Sequence, residues 1–497
     1  MGFNPEKSLG FLLAELKAFF SQRSTEAYLV GGGVRDCLLN RMTSDVDLAI
    51  QGDALTLGRQ LADALGGHYF TLDETNHIAR VVFPRDAAPD KEWHIDLSSF
   101  EGEILSDLGR RDFTINALAI RLEDVEEQEV QALDPFRGLQ DLKDGIIRGS
   151  HPDVFQRDPV RLLRAFRLAR DLSFTIEEAT LALIRRDAPL IRRAASERVR
   201  DELCSLLASP GAAEILRTLD QHHLLLSLIP ELREAKGVQQ PKEHFWDVYE
   251  HSIETVAALE GVLKQSGDGP YGKAELIPWS VEMEEHFRQR MNGGYNRIVL
   301  VKLGALFHDI AKPQMKTIDQ NGRIRFFGHA ERGAEITEGI MKRLRFSGQE
   351  VRAVSKMVNY HLRPGLISRG PELPTRRAIY RYFRDAAEVG IDTLFLNMAD
   401  YLAARGPLLG SDEWRQYMEG ICYILSVRLE EEKVIAPPKL VDGHDLMKRF
   451  ALSPGPLLGK LLEAVREAQA AGVVSSKADA IKFVDKMLRS EAKGRHG

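Results

Sequence analysis

The sequence predicts an α+β protein, a mixed α/β amino-terminal unit followed by a mainly α-helical remainder. Three observations point there. Short apolar strands alternate with amphipathic stretches over the first 135 residues. Beyond residue 136 almost every segment repeats its apolar residues three and four apart. The 497 residues, at roughly 100 to 200 per domain, make three or so units that each bury a core. A hydrophobic fraction of 44% with 28% charged residues is ordinary for globular chains and excludes wholesale disorder, collagen-like and coiled-coil architectures.

In chain order, residues 5–22 have the spacing of an amphipathic helix, and AYLV (27–30) is a short strand running into Gly31, Gly32 and Gly33. DVDLAI (45–50) is a second strand, Asp53 to Leu65 has helical spacing, and HIARVVF (77–83) and WHIDLSSF (93–100) are further strands. The helical remainder is punctuated at Pro210 and Gly211, Pro230, Pro364, Pro371, Pro374 and the Pro437–Pro438 pair. Residues 262–296, richer in Gly and polar groups, read as an insertion or long loop. No run of about 18 apolar residues suggests a membrane span. The start MGFNPEKSLG lacks the build of a secretory signal, and Cys37, Cys204 and Cys422 form no CxxC pair. A reduced, cytoplasmic protein is expected.

The net charge is −6, yet Arg148 to Arg200 holds twelve arginines, no lysines and seven acidic residues. That local excess suits an anionic partner, or a solvated helical face with internal ion pairs.

Asp45 and Asp47 sit one residue apart on a predicted strand, so their carboxylates share a face while Val46 and Leu48 turn to the other. Paired acids repel unless a cation lies between them, and Mg²⁺ takes such oxygen ligands while sharing its shell with substrate phosphates. Alone, an Asp-x-Asp is more often a solvated turn than a metal site. GGGVRD (31–36) shifts the balance, because glycines at a helix start let backbone N–H groups approach an anion and Arg35 adds a charged donor. RRDFTINALAI adds Arg110 and Arg111 as cations and Asp112 and Asn116 as groups able to fix a sugar. Asp96 is either a third carboxylate near the metal or an edge-strand acid facing water.

In order, GGGVRD, DVDLAI, RRDFTINALA, DPFRGLQDL, RDPVRLLRAFRLA and ERVRDEL resemble the motifs of class II tRNA nucleotidyltransferases and bacterial poly(A) polymerases of the polymerase β superfamily. The likeness covers residues 25 to about 210 densely, and Leu440–Gly472 is similar to the family's carboxy-terminal body segment. It implies a polymerase-β-like nucleotidyltransferase head at 1–135, a helical neck for nucleotide selection and RNA binding at 136–235, an HD-type helical domain at 236–436 and a helical tail that binds tRNA at 437–497. The implied reaction moves C and/or A from CTP or ATP onto the 3′ hydroxyl of tRNA, held by its acceptor arm, and releases pyrophosphate. Asp45 and Asp47 would hold Mg²⁺ as the catalytic pair. Gly32, Gly33, Arg35, Arg111, Asp112, Asn116, Asp158, Arg161 and Arg164 would bind the nucleotide.

RDPVRLLRAFRLA (157–169) has helical charge spacing, with Arg157, Arg161 and Arg164 within about 60° of one another. In the family, the Asp and Arg of this motif read the incoming base, which carries over to Asp158 and Arg161. Two departures stand out. Arg157 replaces the acidic residue that often precedes this Asp, and only EGEILS (101–106) separates the Asp96 strand from DLGRRDF. Members that build all of CCA often have a longer flexible stretch there, so the short one favours addition of only CC or only A.

His251, the adjacent His308 and Asp309 of ALFHDIAKP, and Asp400 form a His, His-Asp, Asp series suited to a transition metal, and His329 and His361 would hold a second ion. This resembles an HD-type phosphohydrolase domain over about His244–Arg405. The alternatives to tRNA end synthesis are therefore a poly(A) polymerase, or a metal-dependent phosphohydrolase as a main or second activity. A degenerate HD domain retained as an RNA-binding scaffold is the further possibility for the second half.

Overall fold

The structure is a computed structural model that describes residues 7–85, 88–125, 130–263, 276–291, 293–368, 372–430 and 438–494. The chain folds as two compact units: Met1–Glu202 with His222–Ser227, and Leu203–Gln221 with Leu228–Gly497.

The first unit opens with α1 (Lys7–Ser21), whose Leu9, Leu12, Leu13 and Leu16 are buried at helical spacing. β1 (Ala27–Val30) is buried at all four positions and runs directly into α2 (Gly31–Leu38). β2 (Asp45–Gln51) buries Val46 and Leu48 and turns Asp45 and Asp47 to the other face. α3 (Ala54–Leu65) is capped by Asp53, whose carboxylate accepts from the N–H groups of Leu55 and Thr56. β3 (His68–Asp73), β4 (Ile78–Arg85), β5 (Ala88–Phe100) and, after α4 (Ile104–Leu108), β6 (Ala119–Arg121) complete a six-stranded sheet in the order β3-β4-β5-β2-β1-β6.

β2 and β5 are parallel and every other pairing is antiparallel, in a register that puts Asp45 opposite His94 and Asp47 opposite Asp96. Asp96 thus lies on an interior strand, which corrects the edge-strand alternative. β3 and β6 went unforeseen. β3 is an edge strand with no buried face to express an alternation, and β6 has three residues.

A second correction concerns residues 157–169. The segment is not one helix: α5 (Gly138–Asp144) is followed by α6 (Val154–Arg157), an extended Asp158 at φ −147° and ψ 97°, and α7 (Arg161–Leu172). Pro159 is the cause, because its ring disfavours helical geometry in the residue before it. α8 (Glu178–Asp187) and α9 (Ser196–Ala208) follow.

The second unit is helical: α10 (Ala212–Gln221), α11 (Leu224–Leu228, which begins within the first unit), α12 (Val248–Val262), α13 (Val281–Arg288), α14 (Arg297–Phe307), α15 (His329–Arg343), α16 (Gly348–Tyr360), α17 (Arg363–Ser368), α18 (Arg376–Ala386), α19 (Gly390–Arg405) and α20 (Ser411–Glu430). α12, α14 and α19 are buried on nearly every side and form its centre. Of the supposed loop at 262–296, the described residues include α13, so that stretch is partly helix; 264–275 and 292 lie outside them. Three further helices, Gly443–Phe450, Pro456–Ala470 and Lys477–Gly494, share a small core of Leu446, Leu461, Val465 and Val484. Among the described residues, no helix is long and apolar enough to cross a membrane.

Candidate active site and metal cluster

A cavity of about 240 Å³ opens where α2 leaves β1. Gly32, Gly33, Arg35 and Asp36 line one side, Thr43, Asp45 and Asp47 a second, Asp112 and Asn116 a third, and Arg164, Arg167 and Leu168 of α7 the last. Gly31 is required by close approach: its φ is +68°, and a Cβ there would stand 2.7 Å from the Arg111 guanidinium and 3.0 Å from the Asp47 carboxylate.

Burial raises the Asp47 carboxyl to about 6; Arg111 opposes this, Asp96 and Asp45 add to it, and the N–H of Gly32 lowers it by hydrogen bonding. Acids crowded at one strand surface, with hard oxygens as donors, fit a divalent cation. Asp96 is held on the far side by Arg80, Nε to Oδ1 and Nη2 to Oδ2 both at 2.7 Å. His94 Nδ1 lies 3.3 Å from Asp45 Oδ1.

A polar chain joins the Arg35 side of the cavity to α7. Arg35 Nη1 donates to Asn116 Oδ1 at 2.8 Å, Asn116 Nδ2 donates to Asp112 Oδ1 at 3.0 Å, and Arg164 Nη1 donates to Asp112 Oδ2 at 3.2 Å. Burial alone would raise the Asp112 carboxyl, but Arg164, Asn116 and Arg161 hold it below the usual range. Arg111 is aimed by Asp107, whose Oδ2 accepts from its Nε and Nη2 at 3.1 and 3.0 Å.

Most of the expected site residues therefore converge: Gly32, Gly33, Arg35, Asp45, Asp47, Asp112, Asn116 and Arg164 line the cavity. Arg111 reaches Asp47 from beside it, while Asp158 and Arg161 do not line it. Arg110 is largely exposed, and its backbone carbonyl accepts from Arg161 Nη2 at 2.8 Å. Asp36, Thr43, Arg167 and Leu168 were not anticipated. Arg167 had a signal, being three residues beyond Arg164 on the same helix face.

In the second unit, His251 of α12, His308 and Asp309 just beyond α14, His329 at the start of α15, His361 just beyond α16 and Asp400 of α19 meet in one buried cluster. His251 Nε2 lies 3.1 Å from His308 Nε2, 3.3 Å from Asp309 Oδ2 and 3.0 Å from Asp400 Oδ1. His329 Nε2 lies 3.2 Å and His361 Nε2 3.7 Å from Asp309 Oδ1. His308, His329 and His361 each point Nδ1 at the carbonyl three residues back, Ala305, Phe326 and Val358, at 2.8, 2.6 and 2.6 Å. That spends Nδ1 as a donor and leaves the Nε2 lone pair facing inward. His329 Nε2 and His361 Nε2 are buried without a hydrogen-bond partner and aim at the Asp309 carboxylate, so the residues present fit metal ions. Lys312, three residues after Asp309, reaches its Oδ2 at 2.5 Å. Burial pushes His361 to about 3, with the His308 and His329 rings adding to the effect. Asp309, His329 and Asp400 of the cluster line a cleft of about 1090 Å³ bordered by Arg323, Phe327, Arg363 and Tyr401.

Comparison with known proteins agrees with this geometry. Family models match in three places: the Poly A polymerase head domain at 27–148, the "Probable RNA and SrmB- binding site of polymerase A" at 173–236, and the HD domain at 248–405. The chain is 35% identical over 470 residues to the A-adding tRNA nucleotidyltransferase of Deinococcus radiodurans, covering 93% of this chain and 95% of that one. It is 31% identical over 471 residues to the CC-adding tRNA nucleotidyltransferase of Thermus thermophilus, covering 92% and 93%. A solved CCA-adding enzyme in complex with CTP has the same fold, at a TM-score of 0.63 and 20% identity over 97% of this chain and 96% of that one. Fold and site define a metal-dependent nucleotidyltransferase head joined to an HD domain. The chain belongs to the tRNA nucleotidyltransferase family.

Proposed function

We propose that this protein adds part of the CCA end, C or A but not the whole, to the 3′ hydroxyl of tRNA. The observation that carries the reaction is the cavity in which Asp45 and Asp47 face the Gly32–Gly33 turn and the Asp112–Asn116–Arg164 chain. The partial product is supported by the two whole-length relatives, named A-adding and CC-adding, and by the short EGEILS connection, which runs straight into α4.

The helix start at Gly32 and Gly33, with Arg35 and Arg111, would hold the triphosphate, and Asp112 and Asn116 the sugar. Asp158 and Arg161 would read the base. Asp45 and Asp47 would hold Mg²⁺, which when bound supplies the charge that lowers the 3′ hydroxyl's proton affinity and stabilises the departing pyrophosphate. The 3′ oxygen attacks the α-phosphorus as the α–β bridging bond breaks. The division into head 1–135, neck 136–235, HD domain 236–436 and tail 437–497, acceptor-arm binding by neck and tail, and a cytoplasmic location belong to the same reading.

The test uses tRNA transcripts that stop before the first C, after one C and after CC, each incubated with labelled CTP or ATP. Label from one nucleotide, at one stage, is expected. A complete CCA end on the shortest transcript would overturn partial addition, and no incorporation at all would overturn the reaction.

A second reading is favoured by the inward-facing Nε2 atoms of the HD cluster: phosphoester hydrolysis there, on a transition metal. Loss of hydrolysis in His308→Ala with tRNA labelling intact would support it; hydrolysis that tracks Asp47 instead would refute it.

A further inference from the structure

Helix α9 presents two opposite charges, one turn apart, to the segment that carries the base-reading residues. Arg198 lays its guanidinium along the Asp158 carboxylate, Nη2 to Oδ2 at 2.7 Å and Nη1 to Oδ1 at 3.2 Å. Four residues on, the buried Glu202 accepts Arg164 Nε on Oε1 at 2.9 Å and Arg167 Nε on Oε2 at 2.6 Å. No spacing in the sequence links these partners, which stand 35 to 40 positions apart.

Asp158 needs such a partner. It lies in the extended break between α6 and α7 and so has no helix to fix it. Oδ1 also accepts from the Val160 N–H at 3.3 Å, and Oδ2 stands 3.8 Å from Arg161 Nε, itself buried without a hydrogen-bond partner. A carboxylate has about four lone-pair sites, and a guanidinium fork uses one on each oxygen. Oδ2 therefore keeps an acceptor beside an unsatisfied donor, Arg161 Nε. That pair matches an exocyclic amino group next to a ring nitrogen, the edge shared by cytosine and adenine. Uracil and guanine put a carbonyl oxygen where the amino group would be.

We propose that Arg198 is a positioning residue for nucleotide choice: it fixes the plane of the Asp158 carboxylate, while Glu202 on the same helix face aims Arg164 and Arg167 into the cavity. The proposal rests on the reading of Asp158 as the acid that meets the base. An acceptor held in one orientation rejects a carbonyl-bearing base, whereas one free to rotate turns away and tolerates it. Arg198 then acts on binding and selectivity, and the chemical step at Asp45 and Asp47 is left alone.

The experiment compares full-length Arg198→Met, Arg198→Lys and Asp158→Ala with the unaltered chain. It measures kcat and KM for each of the four nucleoside triphosphates on a tRNA awaiting its next nucleotide, together with the melting temperature. Arg198 is 50% exposed, so its loss leaves the fold in place. Arg198→Met is expected to raise KM for the correct nucleotide and cut its preference over UTP by about tenfold, the scale of one charge-assisted hydrogen bond, with kcat nearly unchanged. Arg198→Lys restores part of the preference. If Asp158→Ala lowers selectivity and Arg198→Met does not, the role of Arg198 is overturned and the reading of Asp158 survives. If Asp158→Ala leaves selectivity intact, that reading falls and this inference falls with it. A loss common to all four nucleotides, with a lowered melting temperature and no rescue by lysine, makes Arg198 merely structural and also overturns it.

Discussion

The head carboxylates and the HD cluster both suit divalent cations, but they are built in opposite ways. On β2, period-two alternation places Asp45 and Asp47 on one face of the strand, with the Asp45 side chain 68% exposed and Asp47 set deeper, half-buried. In the second unit, five of the six residues are buried, and three of the imidazoles are pinned by the same local device, Nδ1 bonded to the carbonyl three residues back. An oxygen pair with one exposed member binds weakly until substrate phosphates complete the shell, which suits a cation that comes and goes with the nucleotide. A buried set with locked tautomers is organised before the metal arrives and retains it. The contrast is between a site finished by its substrate and a site finished by its fold.

Breaking the head should give the largest effect. On the proposed reading Asp47→Ala removes an oxygen ligand of the cation that would offset the developing negative charge, and labelled nucleotide transfer to tRNA is expected to fall by about a thousandfold or more. The metal bound by the HD cluster, read by elemental analysis of the purified variant, should be unchanged. Simultaneous loss of both would mean that the two sites are not separate.

How much of this contrast was legible in the sequence differs between the two halves. The shared face of Asp45 and Asp47 was readable because a strand's alternation is strict, and the glycines because a strand running straight into a helix at close quarters needs them. The HD residues were readable only as a series of types; that four histidines from separate segments converge on Asp309 is a matter of packing, which no local pattern expresses. The break at Asp158 did have a signal in Pro159, but the charge periodicity of the flanking arginines masked it. Glu202 and Arg198 were invisible as partners, because their contacts span 35 to 40 residues of chain. Local periods report faces; ion pairs across helices report tertiary placement.

A smaller effect sharpens the other side of the comparison. Asp309→Ala removes the carboxylate shared by both candidate ion sets, so the variant should purify without its HD metal. Its tRNA labelling should stay within about threefold of the unaltered chain, as expected for independent sites that share no residue or partner. Adding Mn²⁺ or Ni²⁺ to the chelator-treated unaltered chain should raise the melting temperature, with about 3 to 4 kcal/mol of linkage at a few hundred times the dissociation constant, and Asp309→Ala should abolish that rise. A rise that persists in the variant would place the metal elsewhere.

The smallest effect belongs to Asp112, which joins Asn116 in the head cavity to Arg164 of α7. Its carboxyl is buried yet held below the usual carboxylate range, because Arg164, Asn116, Arg161 and the Phe113 N–H outweigh the cost of burial. For an acid whose folded value is depressed, the folded state binds fewer protons than the unfolded chain as pH falls past about 4, so its stabilisation is complete above that point and is lost as pH drops through the folded value. Asp112→Asn keeps the shape but removes the charge, and should cost about 1 to 3 kcal/mol at pH 7, the worth of hydrogen bonds to a charged group. The gap in melting temperature between the two proteins should therefore be widest at neutral pH and close in acid below about pH 4. A gap that stays constant down to pH 3 would show that Asp112 is held by shape and not by its charge, and that the link from Arg164 to Asn116 carries no electrostatic load.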